Sequence, residues 1–389
     1  MRESDRMRSV QPPVVPIVGR WIRDTPGTIS LGQGMVAYGP PAEALEAARA
    51  FGTDANHHKY GPVEGEPELV AAIERKLDAE NAIAVAPRSR IVVTAGANMG
   101  FLNAVLAIAD VGDEVILPAP FYFNHDMAIV IAGCRTVAVG TDARYQLDLD
   151  AIERAISPRT RAVVTVSPNN PTGAVYPETA LREVSALCAS RGVFHVHDQA
   201  YEYFTYDEAR SFSPGSIEEA AAHTISLFSL SKAYGFASWR VGYMVIPEAL
   251  FDAVNKIQDT NLICTALVAQ RAAVGALRAG AAYTRTHLSA LAHVRQEVFS
   301  RLASVADVCD APKTEGAFYV FLRVRTDIDP VKVAERLVRE HGVAVIPGTA
   351  FGVTSGCYLR VSYGALDAET VVEGIERLVR GIRAVAGGE

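Results

Sequence analysis

Lys232 sits in the run Ser229-Leu230-Ser231-Lys232-Ala233-Tyr234-Gly235-Phe236, directly behind the apolar segment 224–228. An amine at the end of a strand is partly withdrawn from water, which lowers its pKa and makes it a nucleophile able to form an imine with an aldehyde. The hydroxyls of Ser229 and Ser231 and the guanidinium of Arg240 add directed donors and a fixed positive fork, equipment for holding a phosphate beside that amine. By itself a Ser-x-x-Lys string is more often a solvated loop lysine. The Ser-Asp-Asn and Lys-Thr-Gly partners that accompany it in one class of serine-nucleophile enzymes are absent.

Other chemistry-bearing residues also fall at the ends of apolar segments. Asp198 closes 194–197, Asn170 opens an Asn-Pro-Thr-Gly turn, and Thr94-Ala95-Gly96-Ala97-Asn98 joins a β-rich stretch to a helical one. At such a junction the backbone N–H groups of Gly96, Ala97 and Asn98 suit a phosphate at a helix N-terminus. Arg360 lies between Leu359 and Val361 on an apolar strand, where an inward guanidinium needs an anionic partner. His57-His58 and His195-x-His197 are the close histidine pairs, and with no third ligand at suitable spacing they read as packing or hydrogen-bonding groups rather than a metal site.

The elements that must position these residues are legible in outline. Segments 91–94, 114–117, 136–139, 162–166, 194–196, 224–229 and 241–246 are short, β-rich and separated by helical stretches, which predicts an α/β unit with a mostly parallel sheet covered by helices. Ligands of such sheets bind at the carboxyl ends of the strands. Residues 44–51 and 66–81 are expected helices, the second started by Pro67. The chain through Pro41 lacks sustained periodicity and reads as an arm laid over another surface. Residues 250–302 read as one long helix leading to a second α/β unit, with strands at 317–323, 343–346 and 358–362 and helices at 330–340 and 368–385. The expected division is an arm over 1–41, a large unit over 42–275 and a smaller C-terminal unit over 276–389.

The chain has 389 residues and a net charge of −7, with both signs interspersed, which argues against nucleic acid or anionic membrane as partners. Five scattered cysteines and the lack of any bilayer-length apolar run or apolar segment behind the charged N-terminus predict a cytoplasmic protein with reduced thiols.

Taken in order, Leu31-Gly32-Gln33-Gly34, residues 60–65, Ser167-Pro168-Asn169-Asn170-Pro171-Thr172-Gly173, Asp198-Gln199-Ala200-Tyr201, the Lys232 segment, Ile346-Pro347-Gly348 and Tyr358-Leu359-Arg360-Val361-Ser362 resemble the class I/II aminotransferase branch of fold-type I enzymes that use pyridoxal 5′-phosphate (PLP). The resemblance runs from about residue 29 to the C-terminus. It implies the fold-type I architecture, a large domain with a mostly parallel central sheet and a smaller C-terminal α/β domain, and a homodimer with shared active sites.

It also implies residue roles. Lys232 carries the cofactor as an imine and serves as acid and base. Asp198 pairs with the pyridine nitrogen, and Asn170 and Tyr201 bond the ring oxygen. Tyr122, or a neighbour in the run Phe121-Tyr122-Phe123, stacks on the ring. Gly96, Ala97, Asn98, Ser229, Ser231 and Arg240 hold the phosphate, joined by Tyr60 from the neighbouring subunit. Arg360 takes the substrate carboxylate, Asn170 also faces substrate, and Gly34 and Tyr38 belong to the arm that closes over it. Phe318, Tyr319 and Phe351 are candidates for the side-chain pocket.

The implied reaction is ping-pong transfer of an α-amino group to a 2-oxo acid. The alternative on the same scaffold is β- or γ-elimination, replacement, or cyclisation of a sulfonium substrate of the S-adenosylmethionine type, since all share one early carbanion. Where similar kynurenine and methionine aminotransferases continue Leu-Gly-Gln-Gly with Phe-Pro, this chain has Met35-Val36-Ala37-Tyr38. With no arginine evident for a distal carboxylate, the expected substrate is a neutral, aromatic or sulfur-containing amino acid rather than aspartate.

Overall fold

The structure is a computed structural model and describes residues 2–387. All seven expected strands form one sheet, each within two residues of its expected bounds. Their spatial order is Ser89–Thr94, Gly242–Pro247, Thr224–Ser229, Phe194–Asp198, Thr160–Val166, Glu114–Ala119 and Arg135–Gly140. The last five run parallel to one another, and Gly242–Pro247 runs antiparallel to both of its neighbours. The two-residue period of a strand sends adjacent apolar side chains to opposite faces. Val93, Phe228, Tyr243 and Val245 enter one core, under the helix Pro67–Asn81, while Val92, Leu227, Met244 and Ile246 enter the other, with Phe101 and Val105 of the helix Ala97–Ile108. Both faces are therefore covered, as a mostly parallel sheet requires.

A second sheet places Ile346–Pro347, Cys357–Ser362, Tyr319–Val324 and Cys309–Asp310 side by side, all antiparallel. Its core includes Val320, Leu322, Leu359 and Val361, with Val333 and Leu337 of the helix Pro330–His341 and Ile375 and Leu378 of the helix Ala368–Gly387. Asp329 caps the first of these helices by accepting from the N–H groups of Val331 and Lys332. Gly342 ends it at φ 63°, the left-handed turn that glycine adopts without penalty.

Three local expectations differ from the fold. The stretch through Pro41 contains a helix, Val14–Asp24, that packs Val14, Val18, Trp21 and Ile22 against Val338, Ile346 and Phe351, followed by a short strand, Ile29–Ser30. Positions 14, 18, 21 and 22 follow the i, i+4, i+7, i+8 spacing of a helix face, a signal that Pro16 and the preceding prolines obscure. The stretch 343–346 splits between two sheets: Val343–Ala344 pairs with Ile29–Ser30, and Ile346–Pro347 pairs with Cys357–Ser362.

The long helix is also interrupted. Phe251–Asn261 ends at a loop in which Ile263 has φ 68°, and Leu267–Leu302 bends at Gly280. The loop lets Gln258 donate to the carbonyls of Val63 and Val93, while Gln270 bonds Thr265 and the N–H of Glu66. These tertiary bonds override a locally favourable helical run.

Candidate active site

Three neighbouring strands deliver their carboxyl ends to one cavity of about 390 Å³. Val166 leads into the turn carrying Asn170, Asp198 is the last residue of its strand, and Ser229 ends the strand that opens the single-turn helix Leu230–Ala233 bearing Lys232. The second sheet contributes Tyr319 and Arg360, and the segment between the short strand Ile29–Ser30 and the first large-sheet helix contributes Gly32, Gly34 and Met35.

Lys232 donates from Nζ to the carbonyl of Gly34 at 2.5 Å. Burial, then the positive charges of Arg360 and Arg240, draw its ammonium down from 10.5 to about 8 against the opposing charge of Asp198. The amine is thus far closer to its nucleophilic form at neutral pH than an exposed lysine.

Asp198 is buried and doubly held. One carboxylate oxygen accepts from the N–H of Ala200 at 2.9 Å, and the other lies 3.1 Å from Nε2 of His125. His125 is stacked on Phe101 at 4.0 Å and its Nδ1 has no partner. Sequence reasoning missed His125. The only local signal is its position three residues after Tyr122, on the same side of the helix Phe123–Ile131.

The expected phosphate residues gather at the other end of the cavity. Ala97 and Asn98 begin a 12-residue helix whose N-cap, Gly96, has φ 82°. A Cβ on Gly96 would lie 2.2 Å from the Arg240 guanidinium, so the absence of a side chain creates the cradle. Arg240 also reaches Ser231 Oγ at 3.4 Å and the carbonyl of Ala95 at 3.3 Å, and pairs with no carboxylate among the described residues. Its own backbone is held at φ 56°, a conformation that costs a non-glycine residue energy. Helix-start N–H groups, two serine hydroxyls and a guanidinium with no carboxylate partner form a donor set that fits a phosphate.

Arg360 is 3% exposed. Its NH1 donates to Asn170 Oδ1 at 3.0 Å and its NH2 to the carbonyl of Gly32 at 2.6 Å, while Nε has no partner. The guanidinium lies over the rings of Tyr319 at 4.8 Å and Phe351 at 5.0 Å. No carboxylate among the described residues pairs with it, so a buried positive fork opens on the Lys232 cavity.

Tyr201 is within 2.7 Å of the Tyr319 hydroxyl and accepts from Asn170 Nδ2 at 3.3 Å. Of the aromatic run, Tyr122 and Phe123 line the cavity, and Phe121 is packed into the sheet core. Phe318 and Phe351 are fully buried and lie outside the cavity wall, whereas Tyr319 is part of it. Val15, on the helix that the sequence reading did not contain, also lines the cavity.

Tyr38, expected in the arm over substrate, stands elsewhere. Tyr38 bonds the backbone carbonyl of Lys232 at 2.9 Å and stacks on His287 at 3.8 Å, outside the cavity wall. Tyr60 is 80% exposed. His195 and His197 share the Thr165 hydroxyl, each at 2.7 Å, and burial lowers His197 to about 4 and His195 well below its usual value.

Comparison with known proteins gives the same assignment. The profile of the family described as aminotransferase class I and II matches residues 26–378. An aromatic aminotransferase of Arabidopsis thaliana is 36% identical over 389 residues, spanning 97% of this chain and 96% of its own. An aspartate/prephenate aminotransferase of Thermus thermophilus is 34% identical over 358 residues, 90% of each chain. The structure of Thermus thermophilus aspartate aminotransferase with maleate matches with a TM-score of 0.88 at 31% identity, covering 98% of this chain and 100% of that one. The aromatic aminotransferase from Pyrococcus horikoshii matches with a TM-score of 0.86 at 32% identity, covering 94% of this chain and 98% of that one. A lysine-bearing cavity at the strand ends of this fold, lined by a donor set that fits a phosphate and by a buried guanidinium without a carboxylate partner, agrees with these likenesses, and the chain belongs to the class I and II aminotransferases, PLP-dependent enzymes that transfer amino groups.

Proposed function

We propose that the enzyme moves the α-amino group of a neutral, aromatic or sulfur-containing amino acid to a 2-oxo acid, the two substrates using one cavity in turn. The observation that carries this reading is Arg360, a buried fork without a carboxylate partner that faces the same space as Lys232. A planar pair of N–H groups matches an α-carboxylate and fixes the α-carbon relative to the amine. The choice of side chain follows from the rest of the wall. Among the described residues, Lys232, Arg240 and Arg360 are its only cations, and Val15, Met35, Tyr122, Phe123 and Tyr319 supply apolar or aromatic surface. A second carboxylate on the substrate has no further cation of this chain to meet.

PLP, when bound, supplies a ring that accepts the electron pair released at the substrate α-carbon. In this reading Ser229, Ser231, Arg240 and the helix-start N–H groups around Gly96, Ala97 and Asn98 hold its phosphate. Asp198, braced by His125, keeps the ring nitrogen positive, and Tyr122 is assigned to the ring face. Asn170 and Tyr201 bond the ring oxygen. Lys232 would hold the cofactor through its amine and, when that amine is free, would be the group placed to move a proton at the substrate α-carbon.

Tyr60, a large aromatic left in water, supports a homodimer in which it completes the cavity of a second copy. Free thiols at all five cysteines support a cytoplasmic setting, and among the described residues no helix is long and apolar enough to cross a membrane.

The test is single-turnover absorbance of the PLP-loaded enzyme with phenylalanine, tyrosine, methionine, leucine and aspartate, followed by identification of the products. Accumulation of pyridoxamine phosphate with the matching 2-oxo acid, faster for phenylalanine or methionine than for aspartate, is the expected outcome. Faster turnover of aspartate would overturn the substrate assignment. Substrate consumption with no pyridoxamine phosphate would overturn transamination itself.

A further inference from the structure

We propose that Tyr319 is a positioning residue that couples carboxylate binding at Arg360 to the proton held at Lys232, acting through the hydroxyl of Tyr201. The proposal rests on the aminotransferase reading of the cavity.

The geometry is a closed ring of contacts spanning the two sheets. Tyr319 begins the strand Tyr319–Val324 of the smaller sheet, and Tyr201 follows Asp198 at the carboxyl end of the central strand of the larger one. Their hydroxyls are 2.7 Å apart. Arg360, on the adjacent antiparallel strand, lies over the Tyr319 ring at 4.8 Å. The same guanidinium donates to Asn170 Oδ1, which turns the amide so that Nδ2 donates to Tyr201. Arg360 therefore reaches Tyr201 by two routes, one through Asn170 and one through Tyr319.

Tyr319 is 1% exposed and held tightly. A Cβ on Gly34 would lie 2.4 Å from its hydroxyl, and the carbonyl of the same Gly34 accepts from Lys232. This glycine lets one piece of backbone touch both the lysine and the phenol. Val320 and Phe321 along the same strand are fully buried and contribute packing alone, whereas Tyr319 turns a polar atom onto the cavity.

The physical consequence follows from the order of the hydrogen bonds. Burial raises the Tyr319 phenol to about 12 against the opposing charge of Arg360, and burial raises Tyr201 further. In this reading Tyr201 gives its own proton to the ring oxygen, so Tyr319 is the donor between the two hydroxyls. An oxygen polarised by accepted bonds from Tyr319 and Asn170 donates its own proton more strongly. The ring oxygen assigned to Tyr201 is then better stabilised as an anion, and the nitrogen of Lys232 releases its proton at lower pH. A carboxylate on Arg360 offsets the charge over the Tyr319 ring, weakens that donor and moves the proton back toward the nitrogen. The other charged or titratable groups lining this space are Asp198, Arg240 and Tyr122, and Tyr319→Phe leaves all three in place.

The experiment is a pH titration of the visible absorbance of the PLP-loaded enzyme, with and without 3-phenylpropanoate, in the wild type, Tyr319→Phe, Tyr201→Phe and the double variant. Tyr319→Phe keeps the ring over Arg360, so the affinity for 3-phenylpropanoate is expected to change by less than about twofold. The absorbance pKa is expected to rise by about half to one unit. The further rise on adding 3-phenylpropanoate should shrink relative to wild type, and in the Tyr201→Phe background Tyr319→Phe should add nothing. A purely structural tyrosine would instead lower melting temperature and carboxylate affinity together while leaving the pKa in place. An unchanged pKa in Tyr319→Phe, or additive effects in the double variant, overturns the proposal while leaving the aminotransferase reading intact. A wild-type enzyme whose visible band does not titrate overturns the proposal alone, whereas failure to develop any visible band with PLP removes the reading on which it rests.

Discussion

Replacing Arg360 by methionine separates function from stability. The guanidinium is 3% exposed and bonds only neutral acceptors, Asn170 Oδ1 and the Gly32 carbonyl, with Nε left unpaired. A buried charge without a counter-ion is costly to the fold, and methionine of similar length relieves that cost while resting on Tyr319 and Phe351. Against this gain, two buried acceptors lose their donor, at about 1–3 kcal/mol each. The terms oppose each other, and the net change in folding stability is expected to stay within about 2 kcal/mol.

Catalysis has no such compensation. Loss of one partner from a buried, hydrogen-bonded charge pair costs about 2–5 kcal/mol. At about 1.4 kcal/mol per factor of ten, kcat/KM falls by roughly 30-fold to several thousand-fold. The assay pairs steady-state kinetics on the preferred amino acid with denaturant unfolding of the loaded enzyme. Retention of kcat/KM within about threefold, or a stability loss well above about 3 kcal/mol, would show that the guanidinium serves the fold rather than the substrate.

Lys232 in the cofactor-free chain should react with an amine-directed reagent at half its limiting rate near pH 8, the value to which burial and then Arg360 and Arg240 lower it; half-maximal labelling near pH 10 would contradict this environment. Because the folded pKa lies below the unfolded one, the folded state binds fewer protons between about 8 and 10.5, and the Lys232 contribution makes folding more favourable as pH rises through that window. Lys76 and Glu202 form a buried pair at 2.6 Å, with Asn81 also donating to Glu202. Lys76→Met leaves the carboxylate buried and should cost about 3–5 kcal/mol in denaturant unfolding, most of it regained in Lys76→Met/Glu202→Leu; equal losses in single and double variants would refute the pairing.

The large sheet was legible because its strands are short, apolar on both faces and bounded by turn residues. Lys232, Asp198 and Asn170 stood out because each follows such a strand. The helix Val14–Asp24 and the loop after Asn261 were not, since both depend on partners far along the chain: Val338 and Ile346 for the helix, Val93 for Gln258 beside the loop. Tyr38 carries a related lesson. The family resemblance placed it in the arm over substrate, whereas its ring packs on His287.

The sequence by itself determined the seven strands of the large sheet and which chemically active residues end them, because propensity, periodicity and turn chemistry act over a few residues. Tertiary structure alone decided which of those residues meet. His125 reaches Asp198 across 73 positions, Tyr201 meets Tyr319 across 118, and Arg360 finds the Gly32 carbonyl across 328. No local rule carries such pairings, since they arise only when two sheets close over one cavity and every buried polar group must find a partner.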